Sequence, residues 1–84
     1  MAGEDQIILD ALKDGRFRLA IHAAQRMRQR SITKADIRTC GRTARSCDYQ
    51  PERGTYRVEG EDLDGEPLIA ICGLEDGVVV VTVF

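Results

Sequence analysis

The chain has 84 residues, of which 43% are hydrophobic and 31% charged, and its formal net charge at pH 7 is −2. This composition excludes a disordered chain, and the length predicts a single globular domain over residues 1–84. The longest apolar run, residues 78–83, is too short to span a bilayer, so no membrane association is expected.

The first 30 residues predict two helices joined by an extended segment. Residues 6–13 read as a short helix ended by Asp14-Gly15, and we expect this helix to be peripheral. Basic and apolar residues alternate over residues 16–19, which fits a brief extended segment. A second helix is expected at about residues 21–30.

A third helix begins with the clearest local signal in the chain. Thr33 fits the N-cap position, and Asp36, three residues later, completes a capping box. Ile32 and Ile37 occupy the two positions of a hydrophobic staple, which fixes the bend before the helix. Residues 16–45 are therefore predicted to be a basic, mainly helical part.

Residues 46–84 predict an antiparallel sheet. Four strands are expected, at residues 47–50, 55–61, 67–73 and 78–84. Asp64-Gly65 and Asp76-Gly77 are hairpin signals, so the fold class is α+β, with two to three N-terminal helices packed on a four-stranded meander. The β-branched run at residues 78–83 predicts a last strand covered on both faces. An exposed edge beside it would invite strand pairing and hence a homodimer.

The cysteines predict neither a metal site nor disulfides. Cys40, Cys47 and Cys72 are odd in number and widely spaced, and His22 is the only histidine. Structural zinc needs four converging ligands, so we expect no metal and no other cofactor. Reduced thiols and an acidic N-terminal segment without an export signal predict a cytoplasmic protein, in which the cysteines serve as small buried apolar residues.

Charge is strongly segregated along the chain. Residues 16–45 hold nine of the twelve basic side chains and one acid, for a net charge of +8, whereas residues 1–15 carry −3 and residues 46–84 carry −7. Such a block concentrates a positive field that attracts a polyanion or an acidic protein.

Helical geometry groups the basic residues into two ridges. His22, Arg26 and Arg30 fall on one face of the second helix. The third helix, here called α3, begins after Thr33 and presents the α3 ridge, which comprises Lys34, Arg38, Arg42 and Arg45. We expect the two ridges to converge in one exposed cationic cleft, the alternative being two solvated faces. His22 could exchange a proton with a hydroxyl near pH 7, or it could be a structural histidine bonded to a neighbouring loop.

A longer pattern resembles a known family. It consists of His22-Ala23-x-x-Arg26-Met27-x-x-Arg30-x-Ile32-x-x-x-Asp36-Ile37, then Gly54-x-Tyr56-Arg57-Val58-x-Gly60, Asp64-Gly65 and Val80-Val81-Thr82-Val83-Phe84. Over residues 17–84 the chain resembles a bacterial family of small domains of unknown function, grouped with the RelE/ParE-like toxins and close to the BrnT toxins. The resemblance implies helices packed on a curved antiparallel sheet, metal-independent cleavage of RNA, and a partner antitoxin that blocks it.

Together, the charge map and the resemblance lead to a functional hypothesis. His22 would act as general base or acid, with Arg26 and Arg30 stabilising the phosphate. The α3 ridge and Arg57 would bind RNA. Thr82 would support His22, contact substrate, or serve as a buried structural hydroxyl.

Two hypotheses without catalysis stay open beside it. In one, the protein is a module that binds RNA or an acidic protein. In the other, the acidic sheet region meets a partner and the basic face is incidental.

Overall fold

The computed structural model describes residues 3–84, which form three helices and five strands. In chain order these are α1 Glu4–Asp14, β1 Phe17–Leu19, α2 Ile21–Arg30, α3 Lys34–Arg42, β2 Ser46–Gln50, β3 Thr55–Glu61, β4 Pro67–Leu74 and β5 Val78–Val83. The α+β class agrees with the prediction, and so do the positions of the first two helices, the start of α3 and the four predicted strands, to within two residues. Helix α3 ends at Arg42, before the predicted helical residue Arg45.

The sheet differs from the predicted meander by one strand. Its order is β1-β5-β4-β3-β2, with β2 to β5 antiparallel as expected and β1 parallel to β5. The extended segment before α2 thus becomes an edge strand, and the Ala20 amide donates to the Val80 carbonyl at 2.9 Å. The prediction of an exposed edge beside residues 78–84 is therefore wrong at Val78, Val79 and Val80, which pair with β1. Strand β1 has only three residues, and so short a segment does not indicate from sequence which strand it pairs with.

Helix α1 is part of the core, although the sequence suggested a peripheral helix. Ile8 and Leu12 are fully buried, and Ala11 is nearly so. The helix packs closely on α3 at Gly41, where a Cβ atom would lie only 2.7 Å from the Cβ of Leu12. It ends at Gly15, whose φ of 74° is the left-handed conformation that glycine adopts readily. Residues 4–14 therefore stabilise the helical layer.

The predicted capping box at the start of α3 is confirmed. The Thr33 amide donates to the Asp36 carboxylate at 2.8 Å, and the Asp36 amide donates to the Thr33 hydroxyl at 3.2 Å. The other carboxylate oxygen accepts the Leu63 amide at 3.0 Å, which ties α3 to the loop between β3 and β4. Burial opposes ionisation of Asp36, but these hydrogen bonds outweigh it and lower its pKa.

The sheet has one face against the helices and one open face. Helices α1 and α3 pack on the inner face, where the core residues Val58, Ala70 and Val80 are fully buried. The opposite side is here called the outer face. On it Val79 and Val81 are only half-buried, so the prediction that β5 is covered on both faces is wrong. A single helical layer covers one side of a sheet and leaves the other to solvent.

A register irregularity in β5 changes which side chains reach the outer face. Ile71 pairs with Thr82, whereas the next residue of β4, Cys72, pairs with Val80. Val81 is thus an extra residue, and it and Thr82 are both half-buried between the buried Val80 and Val83. Bulges of this kind redirect side chains locally. Here the bulge places two consecutive side chains on the outer face.

The three cysteines are free thiols, and Cys40 and Cys72 are completely buried. The Cys40 thiol donates to the Leu68 carbonyl at 3.3 Å. Burial raises the pKa of Cys40 to about 11, and it also raises that of Cys72. Cys47 is half-buried against the core, and burial raises its pKa to about 11. High pKa values keep the thiols protonated, as expected of small apolar core residues.

Candidate functional site

Helix α2 and strand β5 enclose a surface cleft of about 380 Å³, here called the first cleft. Its lining residues are His22, Gln25, Arg26, Gln29, Val81 and Thr82. Ala23 and Met27 are buried where α2 meets the core, so the polar residues on the neighbouring part of the helix border the cleft. The structure thus brings His22, Arg26 and Thr82 together.

His22 is exposed and lies in the first turn of α2. None of the side-chain hydrogen bonds found within residues 3–84 involves its ring. The structural alternative, a ring bonded to a neighbouring loop, is therefore not what the geometry shows. Thr82 is likewise half-buried at the cleft, not a buried hydroxyl.

A second cleft of about 510 Å³ lies beside the first on the outer face. It is lined by Gln50, Arg53, Thr55, Arg57, Ile71, Val81, Thr82 and Phe84. The two clefts share Val81 and Thr82, the pair that the bulge turns outward. Strand register explains how β3 and β4 contribute to the second cleft, because Arg57 lies opposite Ile71, and Ile71 lies opposite Thr82.

One interaction links the two clefts. The guanidinium of Arg26, which lines the first cleft, lies over the ring of Phe84, which lines the second, at 5.5 Å from its centroid. Contacts of this type hold a cation over an aromatic face and are worth about 0.5–1 kcal/mol at exposed sites. Arg26 is thereby restrained at the boundary between the clefts while its charge stays accessible to solvent.

The side chains that line the two clefts include basic residues but no acidic ones. No Asp or Glu side chain lines either cleft, although the chain has fourteen such residues. Three arginines and His22 do line them. The charge of Arg57 is partly neutralised, because its guanidinium pairs with the Glu59 carboxylate at 2.8 Å on the same face of β3. Within residues 3–84, by contrast, neither Arg26 nor Arg53 forms an ion pair with a carboxylate.

The α3 ridge does not converge with His22. Helix α3 packs against the inner face of the sheet, and none of its residues lines the first cleft or the second. The expectation of one cleft formed by both helices is therefore wrong. The Lys34 ammonium lies over the Phe17 ring at 5.2 Å, and the Arg38 guanidinium donates to the Lys13 carbonyl at 3.2 Å. Arg42 is exposed at the end of α3, and Arg45, which was predicted to lie on this helix, follows it and is also exposed. Which side of a sheet a helix covers is a tertiary property that charge spacing along the chain does not contain.

Other basic residues of residues 16–45 also lie outside the clefts. Arg30, at the end of α2, is exposed but lines neither cleft. The Arg18 guanidinium donates to the Glu75 and Asp76 carbonyls, which supports the β4–β5 turn. Arg16 pairs with Asp14 at 3.0 Å in an exposed contact. Part of the predicted basic surface therefore has a structural role.

Sequence reasoning missed several lining residues. Gln25 and Gln29 are one turn apart on α2 and beside His22 and Arg26, so helical spacing could have identified them. The other unpredicted lining residues carried no such signal, because only the strand register brings them together; they are Gln50, Arg53, Thr55, Ile71, Val81 and Phe84.

Two classes of feature are not found in the part of the chain that the structure describes. Residues 3–84 contain no group of three or more His, Cys, Asp or Glu side chains placed to hold a metal ion. Over the same residues, every helix is too short or too polar to cross a membrane.

Comparison with known proteins gives one match. No curated protein sequence matches the chain, and no solved structure does. The family model described as "Domain of unknown function (DUF4258)" matches residues 20–84, which include α2, α3 and all residues that line the two clefts. This match covers well over half of the chain, and the protein therefore belongs to the DUF4258 family.

Proposed function

We propose that the first cleft binds a phosphodiester of RNA and cleaves it without a metal ion. The observation that carries the proposal is the exposed pair His22 and Arg26, one helical turn apart in a cleft that no carboxylate side chain lines. The α2 N-cap, Ala20, makes no side-chain cap hydrogen bond, and the first turn contains no acid, so the positive helix end adds to the field. The resemblance to RelE/ParE-like and BrnT toxins supports the same activity.

The proposed reaction uses the ribose 2′-hydroxyl as the nucleophile. The His22 imidazole takes the 2′ proton while the 2′-oxygen bonds to phosphorus and the bond from phosphorus to the 5′-oxygen breaks. The products are a 2′,3′-cyclic phosphate and a 5′-hydroxyl, whose proton comes from the imidazolium or from water. Arg26 stabilises the charge that develops on the phosphoryl oxygens, and Arg30, one turn further, contacts the next phosphate.

Cleavage of a fluorescent single-stranded RNA in EDTA tests this proposal. We expect wild-type protein to release a product ending in a cyclic phosphate. Both His22→Ala and Arg26→Ala should lower the rate at least about a hundredfold, the typical contribution of a positioned acid–base or charge-stabilising group. An RNA with 2′-deoxyribose at the cleaved position should bind without being cut.

Arg28→Ala is the matched control, because Arg28 is an exposed arginine on the same helix but does not line the cleft. It should leave the rate within about twofold of wild type, as surface substitutions away from a site usually do. Equal rates for wild type, His22→Ala and Arg26→Ala would contradict the proposal, as would cleavage of the deoxyribose substrate.

A non-catalytic RNA-binding module is the second candidate. The observation in its favour is that His22 is the only imidazole lining the first cleft and no carboxyl group lines it, whereas cleavage needs both a base and an acid. Under this candidate RNA binds without product, and affinity falls steeply with salt because each phosphate contact releases counterions. Fluorescence anisotropy at 50 and 200 mM salt, followed by product analysis, distinguishes the two. An affinity for RNA that does not change between the two salt concentrations would rule out this candidate.

We also propose that an acidic protein partner binds on the other side of the sheet. An acidic partner, such as the antitoxin that the resemblance implies, has a separate surface available in the α3 ridge. Arg38 and Arg42 are exposed there, on the side of the sheet opposite the second cleft. An acidic protein could thus bind the α3 ridge without entering the RNA-binding clefts.

A further inference from the structure

The second cleft has a different chemistry from the first. Ile71, Val81 and Phe84 supply apolar surface, while amide, hydroxyl and guanidinium groups at the rim come from Gln50, Arg53, Thr55 and Arg57. Its volume of about 510 Å³ falls in the range of small-ligand sites. A phosphate needs no apolar wall, so this cleft is suited to a ligand with a flat apolar face and polar edges.

We infer that the second cleft holds an unpaired nucleobase of the nucleotide that adjoins the phosphate bound at Arg26. This inference rests on the proposed function and specifies its substrate class as single-stranded RNA. The two clefts meet at Val81 and Thr82, so one nucleotide can place its phosphate in the first and its base in the second.

Phe84 is the central residue of this assignment. Its side chain is 47% exposed, which is unusual for a large aromatic residue and leaves ring surface free for stacking. The Arg26 guanidinium already lies against the ring, and planar guanidinium groups also stack on bases. Base and phosphate of one nucleotide would therefore contact the same pair of side chains.

The rim of the cleft offers groups that a base edge can use. The Thr55 hydroxyl donates to the Gln50 amide oxygen at 3.4 Å, which is long for a hydrogen bond. A ligand can therefore replace this weak interaction. A base inside a duplex exposes neither its stacking face nor its pairing edge. The cleft consequently selects single-stranded RNA over duplex RNA.

Two ligands of equal length and charge test the inference in the His22→Ala variant, in which cleavage is suppressed. One is a single-stranded tetraribonucleotide, and the other is an abasic ribose–phosphate oligomer. We expect the RNA to bind about tenfold more tightly than the abasic oligomer, the effect of stacking a single base. Adding Phe84→Leu, which keeps apolar volume but removes the ring, should abolish this difference and leave the affinity for the abasic oligomer within about twofold.

Tyr49→Leu is the matched control, since Tyr49 is 54% exposed but lines neither cleft. It should preserve the tenfold difference, and circular dichroism should show that both double variants are folded. Equal affinity for RNA and abasic oligomer before the Phe84 change would overturn the inference while leaving RNA binding intact. Equal loss of affinity for both ligands in Phe84→Leu would also overturn it, because Phe84 would then act only by positioning Arg26. Failure of both ligands to bind would instead overturn the proposed function.

Discussion

The Asp36 carboxylate joins the start of α3 to the β3–β4 loop. One oxygen accepts the Thr33 amide and hydroxyl, and the other accepts the Leu63 amide. The residue is 9% exposed, so each of these donors would lose a good acceptor if the carboxylate were removed. The helix start and the β3–β4 loop therefore depend on the same ionised group.

This network predicts a pH-dependent effect of Asp36→Asn. Because the pKa of Asp36 is lowered by folding, its ionised form adds stability above the unfolded pKa of about 3.8, and this is lost as pH falls through the folded value. The variant should lose about 1–2 kcal/mol of unfolding free energy at pH 6, measured by urea denaturation. The deficit should shrink below pH 4.

The exposed loop residue Asp64 provides the control, and Asp64→Asn should change stability by less than about 0.5 kcal/mol at either pH. An Asp36→Asn deficit that is constant from pH 6 to pH 3 would show that the charge of Asp36 is not the stabilising feature.

At the scale of elements, α1 shows how the core extends beyond the family match. The DUF4258 match begins at residue 20, yet Ile8, Ala11 and Leu12 of α1 are buried against the rest of the molecule. The Tyr56 hydroxyl also donates to the Glu4 carboxylate at 2.5 Å, and this bond, with burial, raises the pKa of Tyr56 to about 12. Helix α1 is thus joined to both α3 and the sheet.

Leu12→Ala should accordingly destabilise the protein by about 2–5 kcal/mol, because the side chain is fully buried and its removal leaves a cavity. Ile7→Ala, on the exposed side of the same helix, should cost less than about 1 kcal/mol. Thermal or urea unfolding measures both. Similar small effects for the two variants would mean that α1 is dispensable for the core.

Elements with local signals were predictable, and those defined by distant pairing were not. Thr33 and Asp36 are three residues apart, so the start of α3 followed from sequence alone. Asp76-Gly77 marked its hairpin correctly, with φ of 52° and 102° at the two residues. The pairing of β1 with β5 joins residues about sixty positions apart, and the bulge at Val81 depends on the exact register of β4. Neither leaves a trace in local composition.

For the whole molecule, the same distinction applies to the candidate site. The helical spacing of His22 and Arg26 predicted that they share a face, and the structure places both at one cleft with Thr82. The relative orientation of α2 and α3 could not be predicted from the sequence, because it depends on how each helix packs on the sheet. The basic block of +8 is consequently divided among a cleft, an opposite ridge and several structural contacts.

Amide chemical shifts followed during titration with a single-stranded RNA show which residues of the protein bind RNA. We expect the shift changes to cluster at His22, Arg26, Val81 and Thr82, to extend to Phe84, and to spare Arg38 and Arg42 of the α3 ridge. Shifts confined to the α3 ridge, with the two clefts unaffected, would contradict this expectation.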